Sequence, residues 1–277
     1  MSGSDFAVRF WGVRGSIACS DPSITRYGGN TSALEVRCGP HVLCFDAGTG
    51  ARYLGNSLVA EGKPLDLHLF LTHSHFDHVA GLPFFVPLFI KTNRVAIWAG
   101  HLKPEFTIKG AITELMMAPL FPVPPSVFQA DVRYNDFMAG ETLEPYPGVV
   151  VRTAPLNHPN RATGYRVDFA GKAICYITDT EHVVGKPDAN VINLIKGADI
   201  VVYDCMYCDE TFANHVGWGH STWQEALRIA DLAAVKTMVI FHHNPDHDDE
   251  RMDKIAAEAQ RLRPGTVVAR EGLVLTA

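Results

Sequence analysis

Apolar positions along this chain come in short runs separated by turn residues. Phe6–Trp11, Ala33–Arg37 and His41–Phe45 are brief apolar or alternating segments divided by Gly28-Gly29-Asn30 and Cys38-Gly39-Pro40. That pattern predicts β-strands, because alternate side chains share a face and Gly, Pro and Asn favour turns. A helix is expected after Asp46-Ala-Gly-Thr-Gly50, then a buried strand over Leu65–Leu71. The second half repeats the theme. Gly164–Phe169 and Lys172–Ile177 predict a hairpin around Ala170-Gly171, Asp199–Tyr203 and Thr237–Phe241 predict buried strands, and Trp223–Ala234 and Asp249–Arg261 predict helices. Strands with helices in both halves predict two sheets sandwiched between helices. Pro104–Ala130 breaks the rhythm with five prolines and with Met116, Met117, Phe121 and Phe128, which suits a lid or a dimer surface.

Composition narrows the class. In 277 residues, hydrophobic side chains make up 47% and charged ones 19%, enough for a globular core and incompatible with a disordered chain. No linker or low-complexity tract divides the sequence, so a single domain over residues 1–277 is the expectation. The net charge of −6 and a pI near 6.1 argue against broad, non-specific nucleic-acid binding. The N-terminal residues lack a basic stretch followed by an apolar one, and the longest apolar run, Gly81–Ile90, carries two prolines and is too short to span a bilayer. Of six cysteines, only Cys205 and Cys208 have metal-like spacing, with no second pair to complete a site. A soluble, cytoplasmic protein with reduced thiols is expected.

Histidine placement adds chemistry. Strand Leu65–Leu71 runs into Thr72-His73-Ser74-His75-Phe76-Asp77-His78. In an extended loop His73 and His75 point the same way, and a helix starting near Asp77 would turn Asp77 and His78 toward a second nearby point. One loop can thus serve two adjacent cations. Further ligands are expected at other strand ends: His158 after Val149–Thr153, Asp179 after Ala173–Thr178, and His242 after Thr237–Phe241. Asp46 reads as a partner for a ligand imidazole. His243 reads as supporting its neighbour, with an exchange of roles left open. His215 and His247 are left without a firm role, and His41, His68, His101 and His182 read as structural or surface residues. Arg14 and Arg161 are candidate phosphate contacts.

These residues resemble the metallo-β-lactamase superfamily, whose HxHxDH signature matches His73-Ser-His-Phe-Asp-His78. The resemblance implies an α+β fold, a four-layer αββα sandwich of two mixed sheets. It also implies one metal held by His73, His75 and His158, another by Asp77, His78 and His242, and Asp179 bridging them. Gly219-His-Ser-Thr222, Phe241-His-His-Asn-Pro245 and the stretch from His158 to Arg166 are similar to the ribonuclease Z and cyclic-nucleotide phosphodiesterase branch. The opening Phe10-Trp-Gly-Val-Arg-Gly15 and the lack of a basic insertion depart from its tRNA-processing members. The function implied is hydrolysis of a small phosphodiester, a 3′,5′-cyclic nucleotide in the first instance, by a homodimer with no membrane partner.

The chemistry is consistent with this. Two divalent ions (zinc in the first instance, with manganese or iron accepted by the same ligands) roughly 3.5–4 Å apart would neutralise the diester and bring a bridging water toward pKa ~7, giving the attacking hydroxide. Asp77 is a ligand that also orients this nucleophile. His220 is the expected proton donor to the leaving oxygen, with Ser221 capping the next helix and Asp204 fixing the imidazole tautomer. Two other hydrolytic readings stay open: a ribonuclease Z-like nuclease, and a thioester, lactone or lactam hydrolase on the same metals. A flavo-diiron-like module lacks the chain length for a flavin domain.

Overall fold

The computed structural model describes residues 6–277; residues 1–5, part of the N-terminal segment discussed above, lie outside the described residues. In chain order the strands are β1 (Phe6–Gly12), β2 (Ala33–Cys38), β3 (His41–Phe45), β4 (Asp66–Leu71), β5 (Arg94–Ala99), β6 (Asp131–Asp136), β7 (Thr142–Tyr146), β8 (Val149–Leu156), β9 (Ala162–Phe169), β10 (Lys172–Ile177), β11 (Ile200–Asp204), β12 (Thr237–Phe241), β13 (Val267–Val268) and β14 (Val274–Thr276). The helices are α1 (Ala51–Val59), α2 (Phe76–Val79), α3 (Ile108–Leu115), α4 (Ala189–Ile195), α5 (Asp209–Phe212), α6 (Trp223–Leu232) and α7 (Asp249–Leu262).

The strands form two seven-stranded sheets, in the orders β14-β1-β2-β3-β4-β5-β6 and β13-β12-β11-β10-β9-β8-β7. Each is mixed in the same way. Pairings are antiparallel from β14 to β3 and from β7 to β10, and parallel from β3 to β6 and from β10 to β13. Alternation sorts the side chains into layers. Phe6, Val8 and Phe10 of the first sheet meet Val149, Val151, Tyr165 and Val167 of the second in the central core. In β11, Ile200 and Val202 face that core while Val201 and Tyr203 face α4, α6 and α7, which explains its unbroken apolar run. On the other outer face, α1 and α3 cover the first sheet through Leu54, Leu58, Ile108 and Ile112. The result is the four-layer αββα sandwich.

Several local details differ from the sequence reading. Helix α6 is capped by Thr222, whose hydroxyl accepts from Glu225 N at 3.1 Å, and Ser221 is instead bonded to His182. Strand β8 continues three residues past Thr153. Within 104–130, Ile108, Ile112 and Met116 are buried, whereas Phe106, Met117 and Leu120 are exposed. No helix among the described residues is long and apolar enough to cross a membrane.

Candidate metal centre

The carboxyl ends of β3, β4, β8, β10, β11 and β12 open on one rim of the sandwich, and the chemistry gathers there. Three strands are followed within two residues by one held in the left-handed region: Asp46 (φ 58°) after β3, Asp179 (φ 58°) after β10 and His242 (φ 59°) after β12. That conformation is costly for residues with a Cβ and is typical of functional sites. It turns each side chain off the sheet toward the rim.

The seven expected ligands form two groups. His73 Nε2 and His158 Nε2 each lie 3.0 Å from His75 Nδ1, so three imidazole nitrogens converge on one point. In the second group, His78 Nε2 is 3.2 Å from both Asp77 Oδ2 and Asp179 Oδ2, while His242 Nε2 is 3.4 Å and 3.3 Å from the same two oxygens. Ligand atoms around a tetrahedral ion with bonds of about 2.0–2.1 Å are separated by about 3.3 Å. Asp179 joins the groups: its Oδ1 is 3.7 Å from His73 Nε2 and 3.8 Å from His158 Nε2, with Oδ2 turned to the second group.

The donors fit cations. His78 Nε2 and His242 Nε2 are buried without a hydrogen-bond partner, a costly condition unless an ion takes their lone pairs. Burial opposes charge on His78, yet Asp179, Asp77 and Asp46 outweigh it and hold its pKa well above the ordinary value. Asp179 is likewise held well below the usual carboxylate range, against its burial, by His242, His78 and His73. The field here favours positive charge, and imidazole with carboxylate is a donor set accepted by zinc, manganese and iron.

A second layer orients these groups. Asp46 Oδ2 lies 2.8 Å from His78 Nδ1 and also accepts from Tyr176 at 2.8 Å, so Asp46 orients His78 and lies outside both groups. The Gly219 carbonyl accepts from His158 Nδ1 at 2.8 Å. The Ser16 amide donates to Asp77 Oδ2 at 2.9 Å. Gly15 allows this approach, because a Cβ there would stand 2.5 Å from His242 Nδ1. Asp204 Oδ2 accepts from His220 Nδ1 at 2.9 Å, leaving Nε2 as the free ring nitrogen, and this charge overcomes burial to raise the His220 pKa to about 9.

Other sequence candidates fall elsewhere. Arg14 is fully buried and donates to the carbonyls of Gly28, Asn244 and His247 at 2.7–2.9 Å, so it braces loops and is not a phosphate contact. Arg161 is exposed and paired with Glu105 at 2.9 Å. His243 donates to the Ala269 carbonyl at 2.8 Å, facing away from the rim. His215 stacks on Tyr207 and bonds the Thr211 carbonyl. His182 had no signal in the sequence, yet its Nδ1 lies 2.7 Å from Ser221 Oγ, fixing the residue after His220. The six cysteines are free thiols.

A family described as "Beta-lactamase superfamily domain" matches residues 41–243. Ribonuclease Z of Haloarcula marismortui is 25% identical over 95% of this chain and 94% of its own. Ribonuclease Z of Brevibacillus brevis is 36% identical over 36% of this chain, a match spanning 31% of that relative. Among solved structures, the metallo-beta-lactamase fold protein YhfI of Bacillus subtilis superposes with a TM-score of 0.74 at 18% identity, covering 99% of this chain and 100% of that one. A diphosphatase of the PhnP family gives 0.70 at 19% identity, covering 98% and 97%.

Proposed function

This chain belongs to the beta-lactamase superfamily domain family of metal-dependent hydrolases, and on that premise we propose that it cleaves a small phosphodiester, a 3′,5′-cyclic nucleotide in the first instance. The observation that carries the reading is Asp179, whose two oxygens face two separate groups of convergent donors. His73, His75 and His158 would hold one divalent ion and Asp77, His78 and His242 the other, with zinc the proposed ion at both. Bound there, the ions supply Lewis acidity that offsets the negative charge of a diester and acidifies water.

The protein supplies the rest. Asp179 fixes the separation of the two groups. Asp77, held by the Ser16 amide, both ligates and orients the nucleophile. The leaving alkoxide needs a proton, and His220 Nε2 is the ring nitrogen left free to give it, because Asp204 keeps the other nitrogen protonated and the ring charged. A thioester, whose thiolate departs without taking a proton, has less need of this Asp204–His220 pair. We further propose a single cytoplasmic metallo-hydrolase domain that forms a homodimer, with the apolar insertion near 104–130 lying near the interface or covering the site.

A ribonuclease Z-like reading is favoured by the full-length match to the Haloarcula protein, which makes RNA the second substrate class to test. The test is a hydrolysis panel on metal-loaded protein: cAMP, cGMP, an aryl phosphodiester, linear RNA and a β-lactam. Turnover of cyclic nucleotides and the aryl diester is expected. Activity on RNA alone would replace the reading with the second one, and activity on the lactam alone would overturn both. Light scattering checks the dimer.

A further inference from the structure

Beside the first ligand group lies a cavity of about 440 Å³, within the size range of small-molecule sites. Ser74 and His75 form its inner wall, Leu102, Phe106 and Ala111 its apolar side, and Glu114 part of its lining. Phe106 is 67% exposed although it is a large aromatic, so one ring face is free for a ligand. The side-chain amide of Asn160 lies 3.2 Å from His75 Nε2, which ties the cavity wall to a ligand histidine. Asn160 and Arg161 are both held in the left-handed region (φ 61° and 70°), so the short turn after His158 is bent to place them there.

The charges in this cavity restrict its occupant. Arg161 is the one Lys or Arg among the lining residues, and it is already engaged by Glu105 at 2.9 Å and by the Lys103 carbonyl at 2.8 Å. Glu105 and Glu114 leave the lining net negative. A second phosphate, as RNA would bring, finds no free cation here. A flat, uncharged ring with N–H donors at its edge suits both the apolar wall and the carboxylates.

We propose that this cavity is the subsite for the nucleobase of the substrate, with Phe106 as the stacking face and Glu114 accepting from the base edge. It rests on the phosphodiesterase reading above and adds the location and chemistry of base recognition. It also selects between that reading's two substrate classes, since the lining suits a single nucleotide and opposes a polyanion.

The test compares full-length protein with Phe106→Ala and with Ala111→Trp, which fills the cavity; circular dichroism confirms folding. Two quantities are read: the ratio of kcat/KM for cGMP and cAMP to that for bis(p-nitrophenyl) phosphate, and guanosine binding to the metal-free chain by calorimetry. Both variants are expected to lower the ratio about tenfold, mainly through KM, as loss of one stacking contact would, and Ala111→Trp to abolish guanosine binding. Unchanged ratios and binding in both variants overturn the proposal. If wild type cleaves the aryl diester but neither binds guanosine nor hydrolyses cyclic nucleotides, the subsite is wrong and the phosphodiesterase reading stands. If guanosine binds to wild type and is lost in Ala111→Trp while no diester is cleaved, the subsite stands and the reading falls.

Discussion

At His220 the position of one proton decides the role of the residue. Nδ1–H is committed to Asp204, so Nε2 alone can act at the rim. His220 also falls in one group with His158 and Asp179 that could hold an ion, so its role as ligand or as proton donor has to be separated by experiment. If it is the proton donor, His220→Ala should keep both ions and lose about 10²–10⁴-fold in kcat. Metal content and turnover measured on one preparation check this, and loss of an ion along with the rate would make His220 a ligand. Asp46→Asn belongs to the same scale. It weakens the acceptor for His78 Nδ1, and metal affinity should fall about 10–100-fold, read by competition with a chromophoric chelator. The gathering of these side chains at one rim was legible in the sequence, because the histidines and carboxylates follow recognisable buried strands. The choice of His242 over His243 rested on the motif and not on strand alternation. The left-handed turn at His242 breaks the alternation that would have assigned the two side chains to opposite faces. His182 was invisible for a different reason: its partner Ser221 lies 39 residues away, and neither residue sits in a periodic segment.

Among elements, the loop before α6 does the most for its length. Gly217 and Gly219 both donate to Glu181 Oε2, at 2.7 and 2.9 Å, and Gly219 then offers its carbonyl to His158. Gly219 has φ 86°, and a Cβ there would sit 2.2 Å from His158 Nδ1. Gly219→Ala must therefore push either the loop or the imidazole. The expected result is a selective loss of the ion held by His73, His75 and His158, with the other retained, read as metal stoichiometry falling from two toward one. The sequence showed Gly219 only as part of a motif, since the contact that demands glycine crosses from β8 to the loop. Strands β6 and β7 escaped the sequence reading for a plainer reason. Both are at sheet edges and are mostly exposed or half-buried, with Tyr146 the one buried position, and β7 includes Pro145, so they lack the apolar runs that marked β4, β11 and β12.

The whole molecule places its buried charge at one end. Asp46, Asp77, Asp179, Asp204 and, among the histidines, His73, His78, His220 and His242 are almost wholly shielded from water, while the two sheets below supply an apolar core. Without cations, Asp77, Asp179 and their imidazoles can be neutralised only by protons, and burying unpaired charge is costly. Ions that bind the folded chain but not the unfolded one stabilise it by mass action, about 4 kcal/mol at a free concentration a thousand times Kd. Stripping with a chelator should lower Tm by several degrees, and adding back zinc should restore it in proportion to occupancy. A Tm indifferent to chelator and to zinc would remove the cations from the folding equilibrium. Acid sensitivity also has a contribution from outside the two donor groups. Burial pushes the His68 pKa down to about 4, and its Nδ1 accepts from Trp98 Nε1 at 3.0 Å. The folded state keeps this ring neutral, whereas the unfolded chain takes up a proton below about 6.5. Its contribution is therefore intact above that pH and is lost progressively as pH falls toward 4. Urea unfolding of metal-free protein between pH 7 and pH 4.5 should show this loss. His68→Gln keeps an acceptor for Trp98 but cannot titrate, so it should flatten the slope by up to one proton; an unchanged slope would assign the acid sensitivity to other buried histidines.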